Sequence, residues 1–294
     1  MAKTPIKPRP PQDRPLPLLN TIVMQTAKAR PVIDLKGSGS VSVNWGNGKS
    51  NTYPLTMSIL RISHAYTDSA THTITITGDN IVSLVCNDNQ LTSLNVTKCA
   101  SLTELECYQN SLTTLDMSKS INLTYLKCTF NLLTSIDLTK CAKLQETLLD
   151  CNSIKELNLS GLTNLKAMYC NTGKLSTLNV SGCTNIQRIM CGSNNLTSIN
   201  LSGATNLHLL HIPHNNLSSL NISGCTSLGD FICSHNKLTK LDASKCISIF
   251  RLDCDNNQLT DLNLKGLNKL VSLSLYNNKL KSVVIKECTT FLEK

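Results

Sequence analysis

Aromatic side chains and long apolar runs are both scarce in this sequence. Phe, Trp and Tyr make up 4% of the residues, which excludes a core built on large rings. No run of about 18 apolar residues occurs, the length at which a membrane-spanning helix becomes a candidate. We therefore expect no membrane span, and a core filled by smaller apolar side chains such as Leu, Ile and Cys.

Positive charge is not clustered, although the net charge is +9. No three consecutive residues are Lys or Arg, whereas proteins that bind nucleic acids usually concentrate such residues on one face or along one element. Nucleic acid is therefore a disfavoured partner.

Motifs for catalysis and cofactor binding are missing as well. The sequence contains no G-x-S-x-G, no H-E-x-x-H and no glycine-rich phosphate loop. We therefore expect no catalytic residues and no cofactor, and the chain is predicted not to be an enzyme. His211, His214 and His235 could approach one another in a repeat, but no firm metal-ligand spacing accompanies them, so no metal site is expected.

A 21-residue repeat dominates most of the chain. Residues 102–112 read LxxLxCxxNxL, and residues 123–133 repeat this pattern. The frame continues without insertion over residues 81–290, so 210 residues divided by 21 gives ten coils. We number coil positions from Ile81, which is position 1 of the first coil. Residues 291–294 remain as a C-terminal tail.

This pattern resembles the leucine-rich-repeat family, whose core sequence is LxxLxL, followed by any two residues and then Asn or Cys. Each coil also divides into a ten-residue and an eleven-residue half, which is similar to the bacterial subclass with nested half-repeats. The resemblance implies a mainly β fold: a flattened leucine-rich-repeat solenoid of ten 21-residue coils, with two strand-like sides and few or no helices.

Seven positions of each coil, namely 1, 4, 6, 11, 14, 16 and 19, are expected to point inward, where only stacking can bury them. Asn occupies position 9 in nine coils and Gly173 replaces it in the other. Its amide is predicted to bond backbone groups at the bend, which would form a ladder along the stack. Of the 14 cysteines, seven lie at position 6 and six at position 19, where other coils carry apolar residues. We expect free core thiols, although a spacing of about 5 Å also permits disulfides.

Residues 1–80 precede the repeat and divide into two segments. Residues 1–29 form a Pro-rich basic arm, which cannot build a core of its own. Residues 30–80 contain four predicted strands, at residues 32–35, 41–45, 59–63 and 72–77. Parts of this segment resemble β-sandwich domains of the polycystic-kidney-disease type (PKD-like), although Asn44 and Asn47 replace the usual Asp. We expect a small N-terminal β cap over the open core of the first coil.

Function is expected on the side of the solenoid that changes from coil to coil. Position 15 is nearly always Asn or Asp, whereas positions 3, 5, 7 and 8 vary. Position 5 alternates with inward residues and is therefore predicted to face solvent. Apolar residues on several coils there indicate an interaction site. The candidate ligand-binding residues are Tyr125, Lys127, Phe130, Leu148, Tyr169, Met190, His211 and Ile232.

The sequence thus predicts a non-catalytic module that binds a protein or glycan ligand on its variable strand face. The alternative is a structural component of a larger assembly, such as a phage virion or a bacterial surface apparatus, in which residues 1–30 contact an assembly partner. Localisation stays open, with the cell surface, the extracellular space or a virion favoured. There is no clear signal peptide, because Pro17 and Asn20 interrupt the apolar run before Ala27-Lys28-Ala29.

Overall fold

The computed structural model describes residues 19–284. Within this range every regular element is a β-strand. No helix long and apolar enough to cross a membrane is found in the described range. Most of the predicted arm, residues 1–18, and the predicted tail, residues 291–294, lie outside the described residues, as does Cys288.

Five strands build the N-terminal sheet. They are β1 Asn20–Thr26, β2 Val32–Asn44, β3 Ser50–Leu55, β4 Leu60–Ser63 and β5 His72–Val85. Strand β2 pairs antiparallel with β3, β4 and β5, and β1 pairs antiparallel with β5. Alternate residues are buried, which places Val41, Val43 and Trp45 on one covered face.

Two features of this sheet differ from the sequence expectation. Residues 20–26, which we assigned to the arm, form β1, with Ile22 and Met24 fully buried. Strand β3 was not predicted. It contains Pro54, which strands rarely hold, and its other residues before Leu55 are not strongly apolar. The division into arm, cap and solenoid and the PKD-like character of residues 30–80 stay predictions.

The N-terminal strands cover both sides of the first coil. Strand β1 pairs antiparallel with β6, Leu91–Lys98. Strand β2 pairs with the end of β5, and this end belongs to the first coil. The backbone of Val32 exchanges two hydrogen bonds with the Asn89 side chain, at 2.9 and 2.7 Å. The apolar residues Ile81 and Leu84 of the first coil are therefore fully buried.

The coils stack as a β-solenoid of about ten turns, which confirms the predicted mainly β repeat. Short strands at positions 3–5 pair in parallel, beginning at the end of β5, and we call their outward side the strand face. These strands are β7 Glu104–Glu106, β8 Tyr125–Lys127, β9 Glu146–Leu148, β11 Ala167–Tyr169, β13 Arg188–Met190, β15 Leu209–His211, β16 Asp230–Ile232, β18 Arg251–Asp253 and β20 Ser272–Ser274.

A second set of strands at positions 13–15 lies on the other side of the coils, which we call the opposite side. One parallel sheet contains β10 Glu156–Asn158, β12 Thr177–Asn179 and β14 Ser198–Asn200. Another contains β17 Lys240–Asp242, β19 Asp261–Asn263 and β21 Ser282–Val284. The strand face is thus the more continuous of the two sides in the described chain.

The asparagines at position 9 form the predicted ladder. Asn215 is buried, and its Oδ1 accepts a hydrogen bond from the backbone N–H of Leu196 at 2.9 Å. Its Nδ2 donates to the carbonyl of Cys191 in the preceding coil at 2.9 Å and to two carbonyls of its own bend. Asn131, Asn194 and Asn236 repeat this arrangement. One side chain therefore holds two coils together.

The cysteines of positions 6 and 19 within residues 19–284 are buried in the core, as the sequence predicted for small apolar residues. The thirteen cysteines of the described chain are free thiols. Burial, with a contribution from Glu106, raises the pKa of Cys107 to about 12. Burial also raises the pKa of Cys99 and Cys225 to about 11. Cys151 differs, since it lies half-buried at position 8.

The ladder predicts a stability difference between two adjacent asparagines. We expect Asn215→Ala to lower the free energy of unfolding by about 2–4 kcal/mol, because several buried backbone groups lose their partner at about 1–3 kcal/mol each. The side chain of Asn216 makes no hydrogen bond within the described residues, so Asn216→Ala should change stability by less than about 0.5 kcal/mol. Urea unfolding of both variants tests this. Equal free energies of unfolding for the two variants would contradict a stabilising role of the ladder.

The buried thiols predict a loss of stability in alkali. Their pKa is higher in the folded chain than the value of about 8.5 for a free thiol, so the folded state favours the protonated form. This contribution is complete below about pH 8.5 and is lost as pH rises towards the folded pKa of about 12 for Cys107. Urea unfolding at several pH values should show Cys107→Val to be less pH-sensitive than the parent. Identical pH profiles would contradict the prediction.

Candidate functional site

The position-5 side chains form one continuous row along the strand face. Strand pairing places Lys127 beside Leu148, Leu148 beside Tyr169, and Tyr169 beside Met190. His211 and Ile232 continue the row on the next two coils. Parallel strands lie about 4.8 Å apart, so side chains on successive coils touch. Six of the eight candidate residues therefore lie on consecutive coils.

The other two candidates lie beside this row. Tyr125 occupies position 3 of the same strand as Lys127. Phe130 lies on the bend after the strand, where its backbone has a φ of 53°, and 57% of it is exposed. Position 8 has this left-handed backbone in every coil, from Asp88 to Asn277. Phe130 therefore lies on a bend and not on the strands that carry Tyr169 and Met190.

The row is half-buried, whereas the sequence predicted solvent-facing side chains. Each residue is shielded on two sides by its neighbours at the same position in adjacent coils. At position 3 of the same coils lie buried Ala167, exposed Arg188 and half-buried Leu209, so the apolar surface beside the row is bordered by a charge at Arg188. Gly192 is buried beside Pro213, where a Cβ would come within 3.2 Å of the proline ring. Position 3 varies from coil to coil, but Tyr125 was the one residue at this position that the sequence predicted as a ligand contact.

Three glutamates surround Tyr125 at the N-terminal end of the strand face. Burial first, and then Glu106, Glu146 and Glu104, raise the pKa of Tyr125 to about 12. Glu104 accepts a hydrogen bond from Ser83 at 2.8 Å and lies 3.4 Å from Lys36 Nζ. The Lys127 ammonium lies 4.1 Å from the centre of the Tyr108 ring, which is a cation–π distance. This end of the face is acidic and aromatic.

The C-terminal half of the row contains three ionisable groups. His211 Nε2 lies 3.2 Å from Asp230 Oδ1. Both atoms are shielded from solvent, and neither has a hydrogen bond of acceptable geometry. Arg251 Nη1 lies 3.9 Å from the other carboxylate oxygen of Asp230. These three groups place mixed charge beside Ile232.

The histidines considered as metal ligands separate into two groups. His214 and His235 stack on adjacent bends with ring centres 4.1 Å apart, and Asn256 Nδ2 lies 3.2 Å from His235 Nε2. His211 belongs to the pair with Asp230 instead. No group of three or more His, Cys, Asp or Glu residues that could hold a metal ion is found among residues 19–284.

The opposite side is uniform because its position-15 side chains bond their own backbone. Asn179 Oδ1 accepts from the N–H of Ser181 at 3.0 Å, and Asn200 and Asn221 make the same bond two residues ahead. In Asp137 the hydroxyl and N–H of Thr139 hold the carboxyl pKa below its usual value. A cleft of about 490 Å³ also lies here, lined by polar and apolar residues that include Asp137, Glu156 and Leu157. Because the same bond recurs from coil to coil, the constant Asn or Asp at position 15 is explained by its role in the bend.

The structure is a β-solenoid of about ten 21-residue coils, and the solved structures similar to it are leucine-rich-repeat proteins. No protein-family model matches the sequence, and no curated protein matches it. The functional domain of InlJ from Listeria monocytogenes, which includes a cysteine ladder, is 28% identical with a TM-score of 0.51, over 73% of this chain and 55% of InlJ. This chain thus spans little more than half of that structure.

Two further structures share the fold. The leucine-rich-repeat domain of APL1B is 22% identical with a TM-score of 0.53, over 64% of this chain and 62% of that one. The leucine-rich-repeat domain of APL1 is 24% identical with a TM-score of 0.51, over 62% of this chain and 50% of that one. At these identities the likeness concerns the fold alone.

Proposed function

We propose that this chain is a non-catalytic binding module that holds a protein ligand on its strand face. The observation that carries the proposal is the contiguous row Leu148, Tyr169 and Met190 on three neighbouring strands. Contiguous apolar surface rimmed by polar groups is typical of an interaction site. Aromatic and Met side chains near the centre of such a surface usually carry most of the binding energy.

The surroundings of the row favour a protein over a glycan as the ligand. Leu209 widens the apolar surface on one side of the row, exposed Arg188 borders it beside Met190, and further charged groups lie at its two ends. An apolar centre with a charged rim is the usual anatomy of a protein interface. The alternative is the assembly role, in which the strand face is only a spacer and residues 1–30 contact the partner. The experiment must distinguish this role from ligand binding on the strand face.

A substitution on the row should weaken partner binding without unfolding the chain. We expect Met190→Glu and Tyr169→Ala each to weaken partner binding at least tenfold, which is about 1.4 kcal/mol. Their half-buried side chains cover the surface of the sheet and not the core, so thermal stability should change little. The measurement is capture of partners by immobilised wild-type and variant chains, followed by titration of the captured protein.

The matched control introduces the same charge into the same coil. Ser198 lies exposed on β14, on the opposite side from Met190, so Ser198→Glu should bind like the wild type. A partner that tolerates Met190→Glu but is lost when arginines of the arm are changed would overturn the proposal in favour of the assembly role. A partner equally sensitive to Met190→Glu and Ser198→Glu would also contradict a strand-face site.

A further inference from the structure

The acidic end of the strand face carries charge opposite to that of the chain. Glu104, Glu106 and Glu146 surround Tyr125, while the whole sequence has a net charge of +9. The Glu146 carboxylate has no hydrogen-bond or ion-pair partner in the described part of the chain. Lys36 lies 3.4 Å from Glu104, and Asn87 Nδ2 donates to Glu106 at 3.1 Å. Lys127 lies over the Tyr108 ring, so Glu146 is the carboxylate of the three that has no partner among the described residues. This surface therefore suits a basic occupant with groups that pack on aromatic rings.

Residues 1–18 have the complementary composition. They contain four basic residues, Lys3, Lys7, Arg9 and Arg14, and one acidic residue, Asp13. They also contain six prolines, at positions 5, 8, 10, 11, 15 and 17. Proline-rich segments are recognised by aromatic-lined surfaces because little conformational entropy is lost on binding.

The described chain begins beside this acidic surface. Asn20 Oδ1 accepts a hydrogen bond from Ser101 Oγ at 3.0 Å, and Ser101 precedes Glu104 by three residues. Eighteen residues at about 3.1 Å each extend about 56 Å. The coils that contain Glu104 and Glu146 are two steps of about 4.8 Å apart. Residues 1–18 therefore join the described chain next to the acidic end of the strand face. They are long enough to reach all three glutamates.

We propose that residues 1–18 dock in cis on the acidic end of the strand face. Their basic side chains pair with Glu104, Glu106 and Glu146, and their prolines pack on Tyr108 and Tyr125. This inference rests on the proposed function, because the segment then competes with the protein ligand for the strand face. Nucleic acids and anionic lipids are disfavoured occupants, since the three carboxylates repel them.

Zero-length carbodiimide cross-linking of the full-length chain tests this docking, because it joins only an amine and a carboxylate in contact. Mass spectrometry should find Lys3 or Lys7 joined to Glu104, Glu106 or Glu146. Arg9→Glu with Arg14→Glu keeps both reporter lysines and changes nothing within residues 19–284. This double variant should lower the yield of these cross-links at least fivefold, as should an excess of synthetic peptide 1–18.

Changes on the solenoid give the reciprocal test. Glu106→Lys with Glu146→Lys should also lower the yield at least fivefold at Glu104, whereas Glu156→Lys on β10, on the opposite side, should leave it unchanged. Cross-links that form equally at Glu156, or that survive the arginine changes, would overturn the proposal. So would cross-links found only between differently isotope-labelled molecules, because these would show docking in trans.

The two proposals fail separately in these experiments. If the cross-links are absent while Met190→Glu still abolishes partner binding, only the docking of residues 1–18 is wrong. If the cross-links form as expected while Met190→Glu binds its partner normally, the strand face holds the segment and not the ligand. Docking further predicts that the Arg9→Glu, Arg14→Glu variant binds the partner more tightly than the wild type, and weaker binding would contradict the competition.

Discussion

The amide of the position-9 asparagine fixes the spacing on which the rest of the structure depends. It bonds both its own bend and the preceding coil, so a coil one residue longer or shorter would leave these buried groups unpaired. The same change would turn inward apolar residues outward. Gly173 shows how much the ladder tolerates, since Asn152 and Asn194 on either side of this gap keep their bonds.

A fixed spacing has a direct consequence for the surface. Every pairing along the strand face joins residues 21 apart, from Ser83 with Glu104 to Arg251 with Ser272. Equivalent positions therefore line up in straight rows, and each side chain is held between two neighbours. This explains why the position-5 residues are half-buried. It also means that a ligand surface can change one coil at a time without disturbing the core.

The period, the inward positions and the row of candidate residues could be predicted because they depend on spacing that is local in sequence. Strand β1 could not, because its partner strand lies far along the chain, with Asn20 opposite Gly78, and no repeat marks the pairing. The separation of Phe130 from the row depends on the left-handed backbone of its bend. Likewise, the contact of Lys127 with Tyr108 depends on rotamers, which composition does not determine.

The two sides of the solenoid differ in what their side chains must do for the fold. On the opposite side, Asn179 and its equivalents satisfy a backbone N–H two residues ahead, so most substitutions there would disturb a turn. On the strand face the neighbouring coils satisfy the backbone, and the side chains of Leu148, Tyr169 and Met190 have no such task. Solubility alone would favour polar residues at these three positions. The partner proposed for the strand face would account for the apolar character of this row.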